Sequence, residues 1–275
     1  MTWFALRVQR LQFLAAVAAV VLFACWLVLT GTHDQAAWTA LVHGGCLRNT
    51  GPPSTLQCNL LWIRFGGTDQ WTLANLLILY AIPGLVGVVF GAPLVAREIE
   101  RGTNRFVWTQ SITRTHWLAV KLLVGGLFTA AIMGALVPLA EWWTGAAQTG
   151  AQISPKTFDV VGFAPIGYGL FAFLLGAALG ALIRRSGWAI AVGIPLFAGT
   201  RILVRHYRSH FAPTTSWASN TTGASPGPVW PVNNGFEYQP ANHFWALQGV
   251  ETAIFVTASL LLLGLTVLAV RRWRT

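Results

Sequence analysis

"REIERGTNRFVWTQSITRTHWLAVK", residues 97–121, packs seven charged side chains into 25 residues between two apolar runs. The run before it, Leu73–Val95, and the run after it, Leu122–Ala140, hold no formal charge. Each is close to the ~20 apolar residues a helix needs to cross a ~30 Å hydrocarbon core. The stretch therefore reads as a polar connection between two membrane spans.

Working outward, four more segments fit the same measure: Leu11–Thr30, Phe163–Ile183, Trp188–Val204 and Thr252–Val270. In lipid a spanning element must satisfy its own backbone polar groups, so these are helices. The expected fold is an all-α polytopic membrane protein, one transmembrane domain over residues 1–275, with six spans. Long outer loops are expected at 32–71 and 206–248. Composition agrees: 55% of residues are hydrophobic and 9% charged, against roughly 25% charged in soluble domains. Fourteen Trp and 28 Gly point the same way, because Trp favours membrane interfaces and Gly is common in spanning helices.

The fifth span is short, contains Pro195 and has Arg201 near its end. It is expected to cross with Arg201 snorkelling to the interface; a re-entrant segment is the alternative. With the N-terminus in the cytoplasm and six spans, twelve of the 18 Lys and Arg lie inside, as the positive-inside rule requires. Dropping the fifth span would put "RRWRT" outside. Arg201, Arg205 and Arg208 then sit at an outer end, which this topology leaves without an account. The first apolar run exceeds the 7–15 residues of a signal-peptide core, so it is expected to stay as a span. Before it, Trp3, Phe4, Val8 and Leu11 share a helical face, with Arg7 and Arg10 off it. That pattern suits an interfacial helix. The net charge of +10 is scattered rather than striped along one face, so no nucleic-acid partner is expected.

Little here points to catalysis. No apolar segment has Asp or Glu in its interior, and Glu141 and Glu251 fall at expected outer ends. Proton-coupled carriers usually need an ionisable relay inside the membrane. No phosphate-binding loop, H-E-x-x-H, CxxC or G-x-S-x-G occurs. No catalytic, cofactor or metal residue is assigned; His206 and His210, four apart, read as loop histidines. Cys46 and Cys58 share an outer loop. An oxidising space would allow a disulfide between them, and two free thiols are the alternative. Gly87 and Gly91 form one GxxxG and Gly176 and Gly180 another, which lets helix backbones approach closely. Packing inside one bundle is preferred to packing between subunits. Pro83, Pro93, Pro138, Pro165 and Pro195 are expected to kink or break spans.

Within residues 97–121 the second helix is expected to continue out of the membrane and stop at Gly102. Arg97 with Glu100, and Glu98 with Arg101, are spaced i,i+3 and can meet on its surface. Ser111 or Thr113 can cap the next helix, and Trp117 with Lys121 can anchor it at the interface. A topology signal needs only Lys, Arg and Trp. Glu98 and Glu100, the only expected cytoplasmic acids, favour a docking surface shared with Phe106, Val107 and Trp108.

The stretch "GAPLVAREIERGTNRFVWTQSITRTHWLAVKL" resembles the permease subunits of actinobacterial ABC-2 type ABC transporters. There, an E-x-G-T element follows the second span, then W-T-Q-S, then W-x-x-x-K entering the third. The resemblance implies a separate ATP-binding subunit that holds ATP and Mg, and a second permease copy, giving a homodimer. It makes Arg97, Glu98, Glu100, Arg101, Gly102, Thr103, Arg105, Phe106 and Trp108 the partner-coupling element, a cytoplasmic coupling helix. It makes the N-terminal interfacial helix an elbow helix and implies short outer helices before the sixth span. The expected function is a plasma-membrane ABC exporter permease, N- and C-termini cytoplasmic, for an amphipathic or hydrophobic drug, lipid or peptide. The alternatives are an ion-coupled carrier or channel, and a non-transporting sensor or scaffold.

Overall fold

A computed structural model describes residues 2–44, 46, 56, 58–60, 69–100, 102, 113–146, 153–216, 229–232 and 237–272. Its six long helices are α1 (Thr2–His43), α2 (Asp69–Glu100), α3 (Arg114–Ala146), α4 (Ala164–Ile183), α5 (Ser186–Tyr207) and α6 (Phe244–Arg271). All six are long and apolar enough to cross a membrane. They run alternately up and down, which leaves two distinct ends. One holds Glu98 and the other Asp159.

The segments expected as helical are helical, and two details differ. The expected interfacial helix is not a separate element: residues 2–43 form one unbroken helix, about 63 Å long at 1.5 Å per residue. No Pro breaks that run, and its weak helix formers Thr30, Thr32 and Thr39 each donate a side-chain hydroxyl back to a carbonyl three or four residues earlier. The loop expected from residue 32 accordingly begins beyond that helix. The prolines also do not break the spans. Pro83 and Pro93 lie inside α2, Pro138 inside α3 and Pro195 inside α5. Pro165 sits in the first turn of α4, where its missing N–H costs nothing.

Helix α4 is the hub. Two thirds of its apolar window is buried (67%), against 17% for α1 and for α5. Its main partner is α2, and both GxxxG motifs meet in that one contact. A Cβ on Gly91 would lie 2.0 Å from the Phe173 carbonyl oxygen, and one on Gly180 would lie 2.3 Å from that of Ala92. Gly87 and Gly176 face backbone of the opposite helix in the same way. The small residues therefore serve packing within one bundle. Helix α1 lies at the edge against α3 and is tied to α2 by Asn75. That buried amide accepts from the Trp26 indole at 2.9 Å and donates to Thr30 Oγ1 at 3.2 Å.

The connection from α5 to α6 contains more than irregular loop. Strands β1 (Thr215–Ser216), β2 (Val229–Val232) and β3 (Glu237–Pro240) form an antiparallel sheet in the order β1-β3-β2. Pro231 is confined to the edge strand β2, where its missing donor breaks no ladder. The short outer helices expected here are 3-10 turns of three residues, Arg208–His210 and Ala241–His243. Gln239, fully buried, fixes the sheet to the end of α5 by donating to the carbonyls of Ser209 (3.1 Å) and Ala212 (2.7 Å). Cys46 and Cys58 are joined by a disulfide.

Candidate functional site

At the Glu98 end, the last turn of α2 gathers three helices. The helix stops as expected: Gly102 has φ +67° and its N–H donates to the Ile99 carbonyl at 3.1 Å. Thr113 caps α3, its Oγ1 accepting from the His116 N–H at 3.3 Å. The glutamates also reach partners far along the chain. Glu98 forms an ion pair with Lys121 on α3. Glu100 accepts at 2.8 Å from the backbone N–H of Ser186, the first residue of α5, and at 2.9 Å from its hydroxyl. A carboxylate at a helix start fills orphan donors and complements the helix dipole. Arg97, the i,i+3 partner expected for Glu100, interacts with it electrostatically as well, and Arg101, the partner expected for Glu98, lies outside the described residues.

Trp117 and Lys121 likewise turn inward rather than towards an interface. Both are buried, with the Lys121 ammonium over the Trp117 ring at 4.5 Å. Lys121 Nζ also donates to the Leu94 carbonyl at 3.4 Å. Of the expected coupling residues, Arg97 is half-buried, Glu98 and Glu100 are engaged within the chain, and Gly102 is exposed. Arg101, Thr103, Arg105, Phe106, Val107, Trp108 and the alternative cap Ser111 lie outside the described residues. One expected outcome follows. Glu100→Ala removes the carboxylate from the start of α5 and costs about 0.5–2 kcal/mol, the range for a lost N-cap. Hydrogen exchange should then speed up at the amides of Ser186–Ala189 while α4 stays protected.

The Asp159 end holds a feature that sequence reasoning missed. Arg208 is wholly buried, with Asp159 and Glu251 buried around it. Its Nε donates to Glu251 Oε2 at 2.5 Å and its Nη2 to Glu251 Oε1 at 2.7 Å; Nη2 also contacts Asp159. The Tyr168 hydroxyl donates to Glu251 Oε1 at 2.6 Å. Arg201 lies over the Tyr168 ring at 3.7 Å with Nη2 3.4 Å from Asp159. Arg205 stands further out, 3.8 Å from Asp159. Burial alone would raise the Asp159 carboxyl, but Arg201 and Arg208 hold it below the ordinary carboxylate range.

The expectation that Arg201 snorkels outward is therefore corrected. A carboxylate inside the bundle offers a better partner than the interface. Glu251, expected at an outer end, is buried in the third turn of α6. The roof closes over this cluster: the Arg208 guanidinium lies 4.4 Å from the Phe158 ring and 5.6 Å from that of Trp230. A usable signal was present, because 201, 205 and 208 share one helical face. Asp159, 42 residues upstream of Arg201, has no sequence mark tying it to them.

Below the cluster, α2 and α5 border a cavity of about 280 Å³. Its walls are apolar, and Asp159, Arg201, Arg205 and Tyr80 close one end. Among the described residues no group of three or more His, Cys, Asp or Glu is placed to hold a metal.

A family model described as "ABC-2 membrane transporter related" matches residues 17–208, more than half of the chain. The match takes in α2, α3, α4 and α5, α1 from residue 17 onward, and the connection that carries the charged stretch. No curated protein and no solved structure matches the chain.

Proposed function

The chain belongs to the ABC-2 membrane transporter related family, and from that premise we propose that it is the permease of an ATP-driven exporter. A separate ABC ATP-binding subunit supplies ATP and Mg, and the Glu98 end faces the cytoplasm, as the Lys and Arg distribution favours. The family match across the α2–α3 connection is the observation that carries this reading.

Residues 97–108 are the docking element, and the structure suggests how a push there would travel. Glu98 ties the last turn of α2 to α3, and Glu100 ties it to α5. Helix α2 is in turn locked to α4 by backbone approach. Movement of the α2 end therefore displaces several spans together, as rigid-body switching requires. The weakly buried faces of α1 and α5 suit a second copy, and the proposed assembly is a homodimer in the plasma membrane. The apolar spans suit an amphipathic or hydrophobic cargo.

An ion-coupled carrier is the second reading, favoured by the buried Asp159 and Glu251. The geometry weakens it, because both carboxylates are held by guanidinium groups and Asp159 is kept ionised rather than poised to carry a proton.

Reversing Glu98 and Glu100 would disturb the bundle as well as docking, so the test uses the connection itself. The variant Arg105→Glu with Phe106→Ala and Trp108→Ala is expected to stay monodisperse in detergent and to lose co-purification of the ATP-binding subunit by at least about tenfold, which is 1.4 kcal/mol. Unchanged co-purification with unchanged ATP-driven transport would refute the docking role.

A further inference from the structure

We propose that the groove between α2 and α5 holds one acyl chain of a membrane phospholipid with a single negative charge, its headgroup resting on Arg205 and Arg201. The cavity volume of about 280 Å³ lies at the lower edge of the ~300–1,000 Å³ typical of small-molecule sites. That suits one chain rather than a whole lipid. Leu77, Leu85 and Ile202 line the groove and are themselves exposed, at 57%, 46% and 69%. The groove thus opens along faces that a bilayer covers, and a chain enters sideways without leaving hydrocarbon.

Charge selects the headgroup. Three guanidiniums, on Arg201, Arg205 and Arg208, meet two carboxylates. Glu251 is fully taken by Arg208 and Tyr168. Asp159 is shared among all three arginines, closely by Arg208, at 3.4 Å by Arg201 and at 3.8 Å by Arg205. One positive charge is left over, and it falls at the mouth of the groove. Arg201 Nη1 is buried with no hydrogen-bond partner among the described residues. Arg205 is nearly half exposed, and among the described residues it reaches, besides Asp159, only the Pro155 carbonyl, at 3.3 Å, and the Tyr80 ring at 5.9 Å. An uncompensated guanidinium at membrane depth is costly, and a phosphodiester oxygen supplies the acceptor that the fork of an arginine fits. A zwitterionic lipid brings a cation with its phosphate and does not neutralise the excess.

This inference needs the chain to sit in a membrane but not to couple to ATP, so its failure and that of the exporter reading are separable. The test is lipid retention by native mass spectrometry. The full chain is purified in detergent and offered phosphatidylglycerol, phosphatidylcholine or glycerol phosphate. Phosphatidylglycerol is expected to be retained about tenfold better than phosphatidylcholine, equivalent to one charge-assisted hydrogen bond. Arg205→Gln should remove that preference, and Ala198→Trp, which fills the apolar side of the groove, should lower retention of phosphatidylglycerol. Leu268→Trp on α6 should change neither. Equal retention of the two lipids overturns the headgroup assignment. Binding of glycerol phosphate as tight as that of phosphatidylglycerol overturns the acyl groove. If Ala198→Trp leaves lipid retention intact but dissociates a dimer, the groove belongs to a second copy and the proposal is wrong.

Discussion

Arg208→Gln is expected to destabilise the protein by about 3–5 kcal/mol, the cost of breaking a buried ion pair from one side. Asp159 and Glu251 would remain buried with no guanidinium between them. Tyr168 can satisfy one Glu251 oxygen, and Arg201 reaches Asp159 only at 3.4 Å. The outer ends of α4, α5 and α6 and the 153–163 segment all meet there, so the loss is not local. Thermal unfolding in detergent, followed by loss of monodispersity, measures it. The triple variant Arg208→Met, Asp159→Asn, Glu251→Gln should recover much of the loss, because removing a whole buried charge set is often near neutral. Arg205→Gln should cost no more than about 1 kcal/mol, as an exposed pair at 3.8 Å is worth little. Equal effects from Arg205 and Arg208 would contradict the asymmetry of the cluster.

Gly91→Ala and Gly180→Ala are expected to prevent the bundle from assembling. Overpacking costs about 1–3 kcal/mol where side chains can shift aside. Here the obstacles are carbonyl oxygens of the facing helix, 2.0 Å and 2.3 Å from the added Cβ, so relief requires separating α2 from α4. Folded yield after purification should fall sharply for both. Gly134→Ala is the control. Nothing lies within 4 Å of its added carbon, and Ala is the better helix former. If all three variants purify alike, the helices do not meet as described.

What could be read in advance follows from how far each interaction reaches. The spans, the stop at Gly102 and the Thr113 cap are written in a few consecutive residues. The two GxxxG motifs were visible separately, and only the structure showed that they face each other. Glu98 and Glu100 were visible as anomalies, and local spacing suggested Arg97 and Arg101 as partners. The partners that tie them to other helices, Lys121 and Ser186, are 23 and 86 residues away. The arginine cluster was the clearest miss. Three arginines at an expected outer end contradicted the positive-inside pattern, and that contradiction was the signal. Such a violation marks charges held by the protein rather than placed by topology. Asp159 and Glu251, 49 and 43 residues from Arg208, could not be paired with it by spacing.

The central claim is that an ATP-binding partner drives this chain from the Glu98 end. Flux of a lipophilic fluorescent amine or a labelled lipid into or out of proteoliposomes tests it most directly. The account predicts transport only when the chain is reconstituted with the ATP-binding subunit and hydrolysable ATP. Transport by the chain alone, driven by a proton or sodium gradient and indifferent to ATP, would contradict it.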